Sequence, residues 1–170
     1  MALSRIKSKR QKKMAYTKIV LGIHNFSSQS LSLNQNRYWQ GYGDPSTKIR
    51  EPEPLPPGTQ PPIFVFRHNA DSVGSIGALV YDIQKDFAPY PLPPKWIVAW
   101  SNEIGKPNKV YTEFLRSDAQ IDWPKLKKIL DGSSSSSGSV DLVEGYKADA
   151  RIEPADGDTP TLTATLMHFS

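Results

Sequence analysis

The sequence predicts an all-β, mainly antiparallel sandwich with one short helix, and three observations lead there. Runs of branched and aromatic residues with a period of two recur along the chain, the pattern of strands that bury one face. Fifteen prolines exceed the usual ~5 % share and cluster between those runs, which favours short strands over long helices. A helical period with matching end signals occurs near 122–131.

The central stretch is Trp96–Phe114. Trp96, Val98 and Trp100 alternate with Ile97, Ala99 and Ser101, which reads as a strand with one large aromatic face. Residues 102–108 have the Asn, Gly and Pro content of a loop, and Val110–Leu115 is a second β-prone run. The pair reads as a hairpin whose loop carries Asn102, Glu103, Lys106 and Asn108. A polar, aromatic-flanked loop at the end of a buried sheet is a place where sandwiches carry binding sites. The competing reading makes both tryptophans core and the loop a connector.

The other elements follow in order. Residues 1–14 read as a disordered basic tail carrying Arg5, Lys7, Lys9, Arg10, Lys12 and Lys13, and residues 15–170 as a single sandwich domain. Tyr16–Phe26 is rich in branched residues and reads as a strand buried on both faces, with Leu31–Trp39 as its partner after a turn. Tyr38, Trp39 and Tyr42 surround two glycines, which suggests a loop or bulge with exposed rings; the alternative is that they cap the edge of the core. Residues 51–62 form a proline-rich connector. Ile63–Phe66 and Gly74–Asp82 read as strands, and the glycines of the second permit a bulge or a close approach. Residues 85–95 form a proline-broken loop that exposes part of Phe87 and Tyr90.

Asp122 is an N-cap candidate, Pro124 fits a first turn and Gly132 lies beyond the end, so a helix is expected with Trp123, Leu126, Ile129 and Leu130 on one face. The serine run that follows reads as a flexible loop over 132–139. Val140–Glu153 and Thr161–Phe169 are the last strands, separated by a turn.

Composition narrows the function. No run of ~18 apolar residues predicts a membrane-spanning helix, and the basic start lacks the apolar stretch of an export signal. The absence of cysteine excludes disulfides, thiolate nucleophiles and Cys-ligated zinc, and it favours a cytoplasmic or nuclear location. The tail holds six of the 21 Lys and Arg; the other 15 against 17 Asp and Glu leave the body at −2. Only the tail is basic, so a basic nucleic-acid-binding face is not expected.

Catalytic signatures are lacking. His24, His68 and His168 stand far apart, outside any metal-ligand spacing. No Gly-x-Ser-x-Gly elbow or phosphate loop is present. The expectation is therefore a protein that is not an enzyme and has no metal or cofactor.

The run Gly74–Tyr81, then Trp96–Asn102, then Asn108–Glu113 and the C-terminal 148–166 stretch resemble the plant jasmonate-induced protein family of the 23-kDa type. Residues 21–27, Leu-Gly-Ile-His-Asn-Phe-Ser, and the order of elements are more distantly similar to actinoporins, aegerolysins and fungal fruit-body lectins. These resemblances imply an actinoporin-like sandwich and a stress- or defence-associated function in binding a membrane-lipid headgroup or a glycan. Glu103 stands where the relatives usually have proline, and the short basic N-terminus does not supply the inserting helix of a pore-former.

On this reading Tyr90, Trp100, Ser101, Asn102 and Tyr111 form one binding lip and Tyr38, Trp39 and Tyr42 another. Aromatic faces attract quaternary ammonium groups and suit a membrane–water interface, and they also stack on sugars. The alternative is a nuclear or nucleic-acid-associated regulator acting through the basic tail, which would also suit an anionic membrane. An oligomer built through a strand edge stays open.

Overall fold

A computed structural model describes residues 18–40, 42–43, 54–59, 63–67, 74–84, 94–141, 145–157 and 159–169. Their elements are β1 (Lys18–Phe26), β2 (Ser30–Gln40), β3 (Tyr42–Gly43), β4 (Ile63–Arg67), β5 (Gly74–Gln84), β6 (Lys95–Glu103), β7 (Lys109–Leu115), α1 (Trp123–Asp131), β8 (Ser136–Asp141), β9 (Tyr146–Glu153) and β10 (Thr161–His168). They form a β-sandwich. One sheet has six strands in the order β3-β4-β1-β10-β9-β8, and the other has four in the order β2-β5-β6-β7. Every pairing is antiparallel except β1 with β10.

The period-two pattern fills the space between the sheets. Ile19, Leu21 and Ile23 of β1 and Leu162, Ala164 and Leu166 of β10 face Leu79, Tyr81 and Ile83 of β5 and Trp96, Val98 and Trp100 of β6. Burial of such side chains stabilises by roughly 1.5–3 kcal/mol each before chain entropy is subtracted. A second cluster lies on the outer face of the four-stranded sheet, where Leu126 and Leu130 of α1 cover Ile76, Ala78, Val80, Ile97 and Ala99. Small Ala78 and Ala99, paired across β5 and β6, let the helix come close. Asp122 caps α1 by accepting from the Lys125 N–H at 2.9 Å, Pro124 sits in the first turn, and Lys109 Nζ donates to the Asp131 carbonyl at the other end.

Three expectations need correction. β1 does not pair with β2: it lies between β4 and β10, while β2 lies in the other sheet against β5. The cause is Asn25. Its buried Nδ2 donates to the carbonyls of Gln29 and Leu55 at 2.7 and 3.0 Å, and its Oδ1 accepts from the Ser27 hydroxyl at 2.6 Å. This knot turns the chain out of one sheet and into the other. Nor is β1 buried on both faces, since Phe26 is exposed and Val20 and His24 are half-buried.

The serine run is the third. Residues 136–141 form the edge strand β8, with Ser136 opposite Arg151 and Ser139 opposite Ala148. Its approach closes a corner of the sandwich: Ser134 O accepts from Val110 N–H at 2.8 Å, Ser135 O from Ile152 N–H at 2.9 Å, and Ser137 Oγ from Thr112 N–H at 3.1 Å. Small side chains allow one segment to bond to both sheets where they converge.

Candidate functional site

The hairpin of β6 and β7 forms as its alternation predicts, but its tryptophans point inward. Trp96 and Trp100 have no exposed surface. Trp96 Nε1 donates to Thr112 Oγ1 at 2.8 Å and Trp100 Nε1 to Ser75 Oγ at 3.1 Å, which satisfies both indole donors inside the core. Gly77 makes this possible: a Cβ there would lie 2.6 Å from Trp100 Cζ2. Trp100 is thus a core residue rather than part of a surface lip.

Ser101 and Asn102 are also buried, and they hold structure together. Ser101 Oγ donates to Glu103 Oε1 at 3.3 Å. Asn102 Nδ2 donates to Asn108 Oδ1 at 2.6 Å and to Gly157 O at 3.1 Å, while Asn108 Nδ2 donates to Pro154 O at 2.9 Å. The Asn108 N–H adds a 2.6 Å bond to Ala155 O. These two asparagines clasp the β6–β7 loop to the β9–β10 turn, so the loop's polar content serves the fold. At the loop surface Lys106 pairs with Glu103 at 2.7 Å, which raises the Lys106 pKa, first through the hydrogen bond and then through the opposite charge.

The aromatic residues of β2 separate. Adjacent strand residues face opposite sides, and Tyr38 packs inward against Trp100 with ring centroids 6.4 Å apart. Trp39 faces outward and meets Trp123 at the start of α1, edge to face at 6.1 Å and 75°. A register shift between Tyr38 and Gln40 puts the pair on a bulge, as the glycine-rich context suggests. Tyr111, on the far strand of the same sheet face, packs against the same α1 cluster. Its hydroxyl donates to Glu113 Oε2 at 2.9 Å; burial, then that bond and charge, push its pKa up to about 12.

The structure therefore brings Trp39 and Tyr111 to one face around α1, and both stay partly exposed. The residue that sequence reasoning missed is Trp123. Its helical spacing placed it with core leucines, and only the tertiary contact with Trp39 makes it half of a surface pair. The Tyr90 ring, the Tyr42 side chain and the tail residues Arg5, Lys7, Lys9, Arg10, Lys12 and Lys13 lie outside the described residues. The strand ends that flank residue 90, Gln84 and Lys95, lie at the opposite end of the sheet from Asn102.

Among the described residues no group of three or more His, Asp or Glu is placed to hold a metal ion, and no helix is long and apolar enough to cross a membrane.

No protein-family model matches the chain, and no curated protein matches it. Solved structures do. The lipid-binding protein Nakanori is similar with a TM-score of 0.73 at 16 % identity, over 89 % of this chain and 71 % of that one. The wild-type lectin of Xerocomus chrysenteron gives 0.57 at 11 % identity, over 89 % of this chain and 99 % of the lectin. At such identities the likeness is one of fold: this chain has the β-sandwich that a lipid-binding protein and a fungal lectin also have.

Proposed function

We propose that the chain is a non-enzymatic binding protein that recognises a membrane-lipid headgroup or a glycan, with the Trp39–Trp123 corner as its contact surface. The observation that carries this reading is the edge-to-face indole pair left partly exposed on a bulged edge strand. Tryptophan is enriched where binding energy concentrates, because it offers a large rigid face and one donor. An indole face is also the strongest side-chain partner for a quaternary ammonium group. The two proteins of this fold, one a lipid-binding protein and the other a lectin, favour these two ligand classes. The motif resemblance to jasmonate-induced proteins supports a stress or defence role as the finer reading.

The test is co-sedimentation of the full chain with neutral phosphocholine or sphingomyelin vesicles and with anionic vesicles, at low and high salt. Salt-resistant binding to the neutral vesicles is expected. Trp39→Ala and Trp123→Ala should each weaken it roughly tenfold, as loss of a ring contact of about 1.4 kcal/mol requires. Undiminished binding by folded variants rejects the corner. Binding confined to anionic vesicles and lost with salt moves function to the basic tail, the nuclear or nucleic-acid alternative included.

A further inference from the structure

The other broad surface is the outer face of the six-stranded sheet, across the molecule from α1 and the tryptophan corner. Strands β10, β9 and β8 lie side by side there and align two rows: Thr163, Arg151 and Ser136 in one, Thr165, Asp149 and Gly138 in the next. Strands spaced about 4.8 Å apart make these positions neighbours. They line an open trough of about 740 Å³, with Glu153 also in its wall. That volume lies within the range of small-molecule sites.

The composition of the trough is specific. Its β8 wall comes from the serine run, which keeps that side low. A Cβ on Gly138 would lie 3.1 Å from Asp149 Oδ1, so the glycine leaves this carboxylate uncovered. Along β9 the charges alternate and pair, Lys147 with Asp149 at 3.1 Å and Arg151 with Glu153 at 3.4 Å, and they sum to zero. Exposed pairs of this kind add little to stability, yet together with Thr163 and Thr165 they offer both donors and acceptors without a net field. With donors and acceptors of balanced charge side by side, a neutral polyol can bond to both partners of a pair at once.

One strand further on, the surface becomes aromatic. His24 lies opposite Thr165 and Phe26 opposite Met167. The two rings are 5.7 Å apart, and Phe26 is 57 % exposed. Hydroxyl-binding rows beside an exposed ring match a sugar, which has polar edges and apolar C–H faces.

We infer that this face is a second binding site, for a neutral oligosaccharide: Asp149, Arg151, Thr163 and Thr165 hold its hydroxyls and Phe26 takes its apolar face. The site is independent of the tryptophan corner, which lies on the other sheet.

The experiment titrates the full chain with lactose, maltose, cellobiose, mannobiose and chitobiose, followed by amide NMR shifts. At least one disaccharide should shift β9 and β10 amides at millimolar concentration. Arg151→Ala, Asp149→Ala and Gly138→Asn should each weaken it about tenfold, and Trp39→Ala should leave it unchanged. Should any of these variants misfold by circular dichroism, Phe26→Ser replaces it and should weaken binding similarly. Binding that survives every trough variant, binding only to an anionic sugar such as sialyllactose, or no binding overturns the inference. Binding lost with Trp39→Ala alone also overturns it, by placing the sugar at the corner.

Discussion

Gly77 shows how one residue sets the position of one of the two largest core side chains, Trp100. Its missing Cβ leaves room for the Trp100 ring, and Arg37 O would lie only 3.1 Å from such an atom on another side. Gly77→Ala should therefore cost about 1–3 kcal/mol, the usual penalty for overpacking, read as a lower denaturation midpoint with unchanged slope. Tyr111 gives a residue-scale effect of pH. Its phenol is held up at about 12, against roughly 10 for an unperturbed tyrosine, by burial and by Glu113. A raised folded-state pKa contributes stability that is complete below about 10 and is lost as pH rises through 12. In a phenolate absorbance titration Tyr111→Phe should lack one step near 12, and its stability should fall less steeply over that interval.

Among the elements, the β6–β7 hairpin and the β9–β10 turn behave as one unit. Asn108 contributes its side-chain amide to Pro154 O and its oxygen to Asn102, with almost no exposure. Asn108→Ala strands those buried groups and should cost about 1–3 kcal/mol. Hydrogen exchange should show faster opening at residues 102–108 and 154–157 together, while the β1–β10 pair stays protected. The same change should leave the tryptophan corner working, because Trp39 and Trp123 stand on other elements.

At the scale of the molecule, two sheets present two unlike outer surfaces. The four-stranded sheet is covered by α1 and carries half-buried indoles at its edge; among the described residues the six-stranded sheet has an open trough over β8–β10 and carries alternating charge. The body is close to neutral at −2, because six of the 21 basic residues precede residue 14. A chain starting at Met14 should lose salt-sensitive sedimentation with anionic vesicles and keep its binding to neutral ones within about twofold, since only the charge tether is removed.

The sequence by itself determined most of the strands, the helix and most of the core. Alternation in Trp96–Trp100 and Leu162–Leu166 and the Asp122, Pro124 and Gly132 signals around α1 are local patterns, and local patterns set which face of an element is apolar. They do not set what that face meets. Tyr38 and Trp39 look equivalent in sequence, yet one joins the core and the other the surface, because strand geometry sends neighbours to opposite sides. The serine run has no hydrophobic period to reveal a strand; its order comes from backbone bonds to β7 and β9. The candidate site was legible only as an inventory of aromatic residues. Which rings remain outside was decided by the tertiary structure, through a glycine that admits Trp100, a core that takes Tyr38 and so leaves Trp39 on the outer face, and a helix that brings Trp123 to meet it.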